Sequence, residues 1–201
     1  QNGGDGFVVA RLLRQKNCKA RVALLTSPSS LTGDAATNLK RFQKAGGRCH
    51  AVDKASALDS VLAPLLHASD LLVDAIFGTG LNAPVKGLSA SAISMMNACG
   101  RPIVAIDLPS GLDGDSGAVM GTAVAAALTV TLARPKRGLY LGVGPNHAGL
   151  IRMADIGIPD DLVAAAKIPV TLLHASDIRS LLPQRPRAAH KGTFGHAGII
   201  A

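Results

Sequence analysis

Two aspartates stand where buried strands are predicted to end. Asp74 closes the apolar run "LLVD" and is followed by "AIFGTG", and Asp107 closes "IVAID" and is followed by "LPSG". In an open parallel sheet, ligands bind in the crevice outside the carboxyl ends of the strands. Carboxylates that neighbouring strands carry to that crevice would face one pocket, where they could exchange protons with a ligand or hold a cation.

A third stretch with chemical potential is "QNGGDG", at residues 1–6, directly before an apolar run. Its glycines allow backbone N–H groups to approach a ligand closely, and a loop that leads into a helix offers an anion such as pyrophosphate the positive end of the helix dipole. Together the three stretches predict a nucleotide-like ligand near Asp5, Asp74 and Asp107. They do not by themselves identify a reaction.

Simpler interpretations of these residues stay open. An aspartate after a strand also serves as a helix cap or a turn former. The segment "DGDSG" at 113–117 resembles a calcium loop, but its sixth position is not glycine and its twelfth is Val124, so a turn is favoured. Neither a phosphate-binding P-loop nor a GxGxxG fingerprint is present, and Ser110 lies in "LPSG" rather than in a GxSxG nucleophile elbow.

The elements that must position these residues are predicted from apolar runs and from glycine and proline breaks. The pattern predicts strands at 20–26, 48–52, 71–77, 102–106, 128–133 and 150–155, and helices at 7–15, 32–45, 58–67 and 89–98. Asp5 would cap the first helix or favour its dipole, and the third helix would be interrupted or kinked near Pro64. Such alternation predicts an α/β fold, a mostly parallel sheet with helices on both faces.

Composition restricts the kind of protein. The 201 residues suffice for one well-buried domain, with a formal net charge of +8, no Trp and one Tyr. Scattered basic residues without aromatic side chains for base stacking argue against nucleic-acid binding. Cys18, Cys49 and Cys99 form no CxxC pair, which indicates neither a disulfide framework nor a zinc site and favours a reducing cytoplasm. No apolar run reaches the ~18 residues of a membrane span, and no signal sequence is visible.

In this order, "QNGGDG", "VDAIFGTGL" and "IDLPSGLDGDSG" resemble the motifs of the NAD(P)H-hydrate epimerase family, the YjeF-type N-terminal domain. The resemblance extends over about residues 1 to 160, since "TVTLARPKRGLYLGVGPNHAGLIRMADIGIP" is similar to the closing strands of that family. It implies a Rossmann-like, three-layer αβα sandwich. It also implies an isomerase that interconverts the R and S forms of hydrated NADH and NADPH at C6 of the nicotinamide ring.

The resemblance also implies the site residues. Asp107 would be the catalytic acid/base, and one potassium ion per subunit would be held by Asn2, Asp74 and Ser110. The residues implied to contact the substrate are Gln1, Asn2, Gly3, Gly4, Asp5, Gly78, Thr79, Gly80, Leu81, Asn82, Ala83, Pro84 and Asp107. Gln1 stands where the family usually has Asn, and the strand that the family has before this segment is missing from the chain.

The end of the chain resembles a second domain. "HKGTFGHAGIIA" is similar to the opening of the ribokinase-like, ADP- or ATP-dependent NAD(P)H-hydrate dehydratase domain, which in bacterial bifunctional repair enzymes follows the epimerase domain. We therefore expect an epimerase domain at 1–165 and a linker with the start of a dehydratase domain at 166–201. The expected partners are the small-molecule substrate and the dehydratase domain fused at the C-terminus. No nucleic acid or membrane partner is expected, and a homo-oligomer is a further possibility. The alternative is a non-catalytic nucleotide- or partner-binding scaffold of the same fold.

Overall fold

The structure is a computed structural model that describes residues 3–182, 187–188 and 198–199. The chain divides into two compact units, at 1–157 and 158–201. Gln1, Asn2 and most of the terminal segment at 190–201 lie outside the described residues, so the expectations for them stay predictions.

The first unit alternates strands and helices in the predicted order. Its strands are β1 (Arg21–Leu24), β2 (Arg48–Ala51), β3 (Leu72–Asp74), β4 (Ile103–Ile106), β5 (Leu128–Leu132) and β6 (Leu150–Ala154). Its α-helices are α1 (Gly3–Gln15), α2 (Gly33–Lys44), α3 (Ala63–His67), α4 (Gly87–Ala98) and α5 (Gly144–Ala148). The second unit contains α6 (Asp160–Ala165) and α7 (Ala175–Leu181).

All strand pairs between these elements are parallel, and they form two sheets. One sheet pairs β1 with β2, and the other has the order β3-β4-β5-β6. Asp74 pairs with Ala105 across β3 and β4, and Ile106 pairs with Val130 across β4 and β5. The predicted α/β class with mostly parallel strands is confirmed. The expectation that the strand which the family has before the glycine segment is missing from this chain stays a prediction, because Gln1 and Asn2 are not described.

Short apolar strands suit this sheet because its core is built from small and branched side chains. Ile93, Ala105 and Val124 are fully buried in the largest cluster, which packs α4 against β4. A second cluster joins α1 to α2 through Phe7 and Phe42, whose ring centroids lie 6.3 Å apart. Burial of such a phenyl ring contributes roughly 1.5–3 kcal/mol, so these contacts hold α1 in place.

The start of the first helix differs from the sequence prediction. The first helix begins at Gly3 rather than at Phe7, so the glycine segment is its first turn and not a loop before it. Asp5 therefore lies inside that turn, where its carboxylate favours the helix dipole, and the capping alternative is not realised. The third helix is interrupted near Pro64, as expected: a π-helical turn at Leu58–Leu62 precedes α3, which has Pro64 in its first turn.

Candidate functional site

Asp74 and Ser110 form a directly bonded, buried pair at the carboxyl end of β3. The Ser110 backbone N–H donates to Asp74 Oδ2 over 2.7 Å, and the Ser110 hydroxyl donates to Asp74 Oδ1 over 2.5 Å. The N–H of Ile76 donates to the same Oδ1 over 3.2 Å. Both side chains are 1% exposed. The structure thus brings together two of the three residues that the resemblance assigns to a potassium site.

The charge of Asp74 has no counter-ion among the described side chains. The two ion pairs formed by described residues join Lys136 to Asp107 and Arg137 to Asp115, and neither involves Asp74. Burial raises the pKa of Asp74 above its ordinary value, while the hydrogen bonds from Ser110 and Ile76 act in the opposite direction. A bound cation would compensate this isolated charge.

The donor set around Asp74 suits a cation that prefers oxygen. One carboxylate, the Ser110 hydroxyl and the Phe77 carbonyl, which lies 3.2 Å from that hydroxyl, are the oxygens present. Among residues 3–182, no group of three His, Cys, Asp or Glu side chains could hold a metal ion. A single carboxylate among neutral oxygens fits a monovalent ion such as potassium, which proteins coordinate through oxygen atoms.

The glycine-bearing loop at 78–84 is tied to this pair. The N–H of Phe77, the residue before the loop, donates to the Ser110 hydroxyl over 2.8 Å. At the other end, the Val85 N–H donates to the Met120 carbonyl over 2.8 Å. Five residues between these anchors are exposed, namely Thr79, Gly80, Asn82, Ala83 and Pro84. The loop that the resemblance assigns to the substrate therefore presents its surface to solvent from fixed ends.

Asp107 follows β4 directly and lies one strand away from Asp74. Its backbone N–H donates to the Val130 carbonyl over 2.8 Å, and its φ of 70° is in the left-handed region. The residue is 7% exposed. Its Oδ1 accepts hydrogen bonds from the Leu132 N–H, over 3.1 Å, and from the Lys136 ammonium. The sequence predicts Asp107 at this edge of the sheet but does not indicate these partners.

The first turn of α1 approaches the same strand end. A Cβ built on Gly6 would lie 2.8 Å from the Ala75 Cβ, closer than real Cβ atoms approach one another. Only glycine at this position lets the helix start lie against the residue that follows Asp74. The glycines are predicted to let backbone N–H groups approach a ligand, but at Gly6 the group that approaches is the protein's own Ala75 side chain. Gly3 and Gly4 have no such close contact.

The loop after Asp107 is held in shape by glycine at position 111. Gly111 has a φ of 92°, and a Cβ there would lie 1.8 Å from the Thr122 carbonyl oxygen. The Val124 N–H donates to the Ser110 carbonyl over 2.9 Å. These contacts fix the backbone around Ser110, so packing alone requires glycine at position 111.

Sequence reasoning missed Lys136, Leu132 and Phe77 as partners of the site residues. Lys136 lies 29 residues from Asp107 in the chain, and Phe77 lies 33 residues from Ser110. The available signal for Lys136 was a basic residue shortly after a predicted strand, in "TLARPKRG". That signal becomes specific only when β5 is known to lie beside β4.

A surface cavity of about 450 Å³ lies elsewhere, between α1 and α2, and is lined by Arg11, Gln15, Arg41, Lys44 and Ala45. Its basic side chains lie in the second halves of the two helices, where a positive charge interacts favourably with the negative end of the helix dipole. None of the lining residues belongs to the group around Asp74, Ser110 and Asp107, so this cavity is not part of the candidate site.

A comparison with protein families gives one match that covers most of the chain. Residues 1–138 match the family model described as the YjeF-related protein N-terminus. The matched range includes the three motifs as well as β3, β4, β5 and Lys136.

Curated relatives are similar over nearly the whole chain or over its first unit. The chain is 46% identical to the bifunctional NAD(P)H-hydrate repair enzyme Nnr of Moorella thermoacetica, over 96% of this chain and 36% of the relative. It is 42% identical to the NAD(P)H-hydrate epimerase of Levilactobacillus brevis, over 78% of this chain and 68% of the relative. The chain thus spans well under half the length of the bifunctional relative and about two thirds of the epimerase.

A solved structure shares the fold. The crystal structure of the yeast protein ynu0 superposes with a TM-score of 0.68 over 88% of this chain and 71% of its own, at 22% sequence identity. Among the residues that the present structure describes, no helix has both the length and the apolar character needed to cross a membrane.

Proposed function

Because this chain belongs to the YjeF-related N-terminal family, we propose that it interconverts the R and S epimers of hydrated NADH and NADPH at C6 of the nicotinamide ring. The observation that carries the proposal is the arrangement at one sheet edge: the buried pair of Asp74, at the end of β3, with Ser110, and the carboxylate of Asp107, which follows β4 and has a side chain that is 11% exposed. The names of the similar bifunctional and epimerase proteins support the same substrate class.

The chemistry needs one group that can take and return a proton. C6 of the hydrate carries a hydroxyl and is bonded to the ring nitrogen N1, so it is a hemiaminal carbon. Asp107 takes the hydroxyl proton and passes it to N1 while the C6–N1 bond breaks, which leaves an aldehyde and an N–H group. Bond formation on the other face of the aldehyde reverses these transfers and inverts C6. No atom or electron is gained or lost, so one carboxylate suffices.

The remaining residues bind and orient. The exposed loop at 78–84 and the first turn of α1, together with Gln1 and Asn2, which lie outside the described residues, would contact the substrate. Asp74 and Ser110, with Asn2, would hold a potassium ion, which supplies the positive charge that the buried carboxylate lacks. The ion would also keep Ser110, and hence the loop between Asp107 and Ser110, in one conformation.

The test is a coupled assay in the natural protein. Purified R-form hydrate is supplied together with an S-specific dehydratase from a separate source that has no epimerase of its own, and NADH absorbance is followed against a blank for spontaneous epimerisation. NADH recovery above the blank is expected, and Asp107→Asn is expected to lower it at least 100-fold, since proton transfer by a positioned side chain is worth about 10²–10⁴-fold. Asp115→Asn, which changes an exposed aspartate of the same loop, is the matched control and should remain active.

Recovery no faster than the blank would refute the epimerase proposal and favour the scaffold alternative. Equal activity of wild type and Asp107→Asn would refute the role of Asp107 alone. In the longer bifunctional relatives the name covers a second activity, and we propose that dehydration of the S form, driven by ADP or ATP, belongs to a domain that follows this one. Assay of the natural protein with S-form hydrate and each nucleotide tests that part.

A further inference from the structure

The strands β4 and β5 end in the same rare turn, side by side. After β4, the Leu108 N–H donates to the Ile106 carbonyl over 2.9 Å, and the residue between them, Asp107, has a φ of 70°. After β5, the Arg134 N–H donates to the Leu132 carbonyl over 2.7 Å, and Ala133 between them has a φ of 61°. A γ-turn with positive φ is strained for any residue other than glycine. Two neighbouring strands therefore carry strain at equivalent places.

The second turn brings two donors to the first. With β5 ending at Leu132, its N–H points across to Asp107 and donates to Oδ1 over 3.1 Å. The chain then turns at Ala133 and returns at Lys136, whose ammonium donates to the Leu132 carbonyl over 2.7 Å and to the same Oδ1 of Asp107. Leu132 and Lys136 thus form a clamp on one oxygen of the carboxylate.

The two oxygens of Asp107 are unequal as a result. Oδ1 accepts both hydrogen bonds of the clamp, whereas Oδ2 accepts none from residues 3–182. The side chains of Asp107 and Lys136 are 11% and 20% exposed, so the pair is largely shielded but open on one side. A carboxylate that is fixed through one oxygen can present the other in a constant direction.

From this geometry we propose that Lys136 is a positioning residue for the epimerisation: it fixes the Asp107 carboxylate through Oδ1, so that Oδ2 is the oxygen that exchanges the proton with the substrate. The inference rests on the proposed function, because it assigns the reacting oxygen of the proposed acid/base. The strain at Asp107 and Ala133 has a use in this account, since it places donor and acceptor groups of two adjacent strands within bonding distance.

The variant Lys136→Met tests the proposal, because methionine retains much of the stem but has neither charge nor donor. In the natural protein we expect kcat to fall about 100-fold, the size of effect that misplacement of a reacting group by about 1 Å produces, while KM changes less than about threefold. Lys136→Arg keeps a charged donor and should recover at least about tenfold of the loss. Arg137→Met removes the same charge from the next residue, whose ion pair among the described residues is with the exposed Asp115 at 3.0 Å, and should keep wild-type kcat and KM.

Three results would overturn the positioning role. A higher KM with unchanged kcat in Lys136→Met would show that Lys136 binds substrate. Wild-type kinetics of Lys136→Met would show that the clamp is not needed. An equal loss in Arg137→Met would assign the effect to overall charge.

A crystal structure of Lys136→Met separates this inference from the proposed function, because it requires no turnover. The positioning role predicts that the Asp107 carboxylate rotates or occupies several orientations in the variant and a single one in the wild type. An unchanged, singly oriented carboxylate would overturn the inference even if the wild-type protein were an active epimerase. Conversely, reorientation of the carboxylate together with an inactive wild type would retain the clamp and refute the epimerase proposal.

Discussion

Replacement of Ser110 by alanine tests whether the buried pair organises the site. The hydroxyl of Ser110 donates to Asp74 Oδ1 and accepts from the Phe77 N–H. Both bonds are lost in Ser110→Ala, while the bond from the Ser110 backbone N–H to Asp74 Oδ2 can remain. The substitution removes a single oxygen atom, so the effect reports hydrogen bonding rather than a large cavity.

The expected magnitude follows from these two bonds. A hydrogen bond to a charged group contributes about 1.5–3 kcal/mol, and one between neutral groups about 0.5–1.5 kcal/mol. The loss of both should lower the free energy of unfolding by about 2–4.5 kcal/mol. For a chain of this size that corresponds to a decrease of about 5–15 °C in melting temperature.

The assay is thermal unfolding of the natural protein, followed by circular dichroism at pH 7. Ser116→Ala is the matched control, since the Ser116 hydroxyl also donates to an aspartate, Asp113 Oδ1, over 2.6 Å, but Ser116 is exposed and Asp113 only half-buried. This control should change the melting temperature by about 2 °C or less, because water replaces the lost partner. Equal shifts in the two variants, or no shift in Ser110→Ala, would refute the argument that the buried pair holds the site together.

Three further outcomes are expected. In wild type, KCl should raise the melting temperature relative to choline chloride at equal ionic strength, and Asp74→Asn should remove this rise; a rise retained in the variant would place the ion elsewhere. Gly138→Ala should prevent folding or lower the urea midpoint of unfolding strongly, because a Cβ there would lie 2.0 Å from the Asp113 carbonyl oxygen. Gly80→Ala, whose Cβ would have no atom within 4 Å, should leave the urea midpoint unchanged. Similar midpoints for the two variants would contradict this reasoning. Hydrogen bonds from Ser116 hold the pKa of Asp113 in the folded protein below its usual value of 3.8. The stabilisation that these bonds give is therefore present above pH 3.8 and is lost as the pH falls through the lowered pKa of the folded protein. The stability difference between wild type and Asp113→Asn should therefore be present at pH 6 and shrink below pH 3.8, and a difference independent of pH in urea titrations would contradict the assignment.

Local sequence signals predicted most of the elements. The strand predicted at 128–133 is β5, at Leu128–Leu132, and the helix predicted at 32–45 is α2, at Gly33–Lys44. Such agreement is expected for a continuous apolar run or a 3.6-residue period, because these signals depend only on neighbours in the chain. The start of α1 was misplaced because glycine has low helix propensity, while contact of Gly6 with Ala75 favours the helical turn.

The positions of Asp74 and Asp107 at one sheet edge also followed from the sequence, since each ends an apolar run and parallel strands share an edge at their carboxyl ends. What the tertiary structure alone decided is which groups meet there. The clamp of Leu132 and Lys136 on Asp107 depends on β5 lying beside β4 in one register, and the bond from Phe77 to Ser110 depends on the path of a loop. Local residue patterns determine the elements and their ends, whereas pairing across tens of residues is set by packing of the whole sheet, which no local pattern encodes.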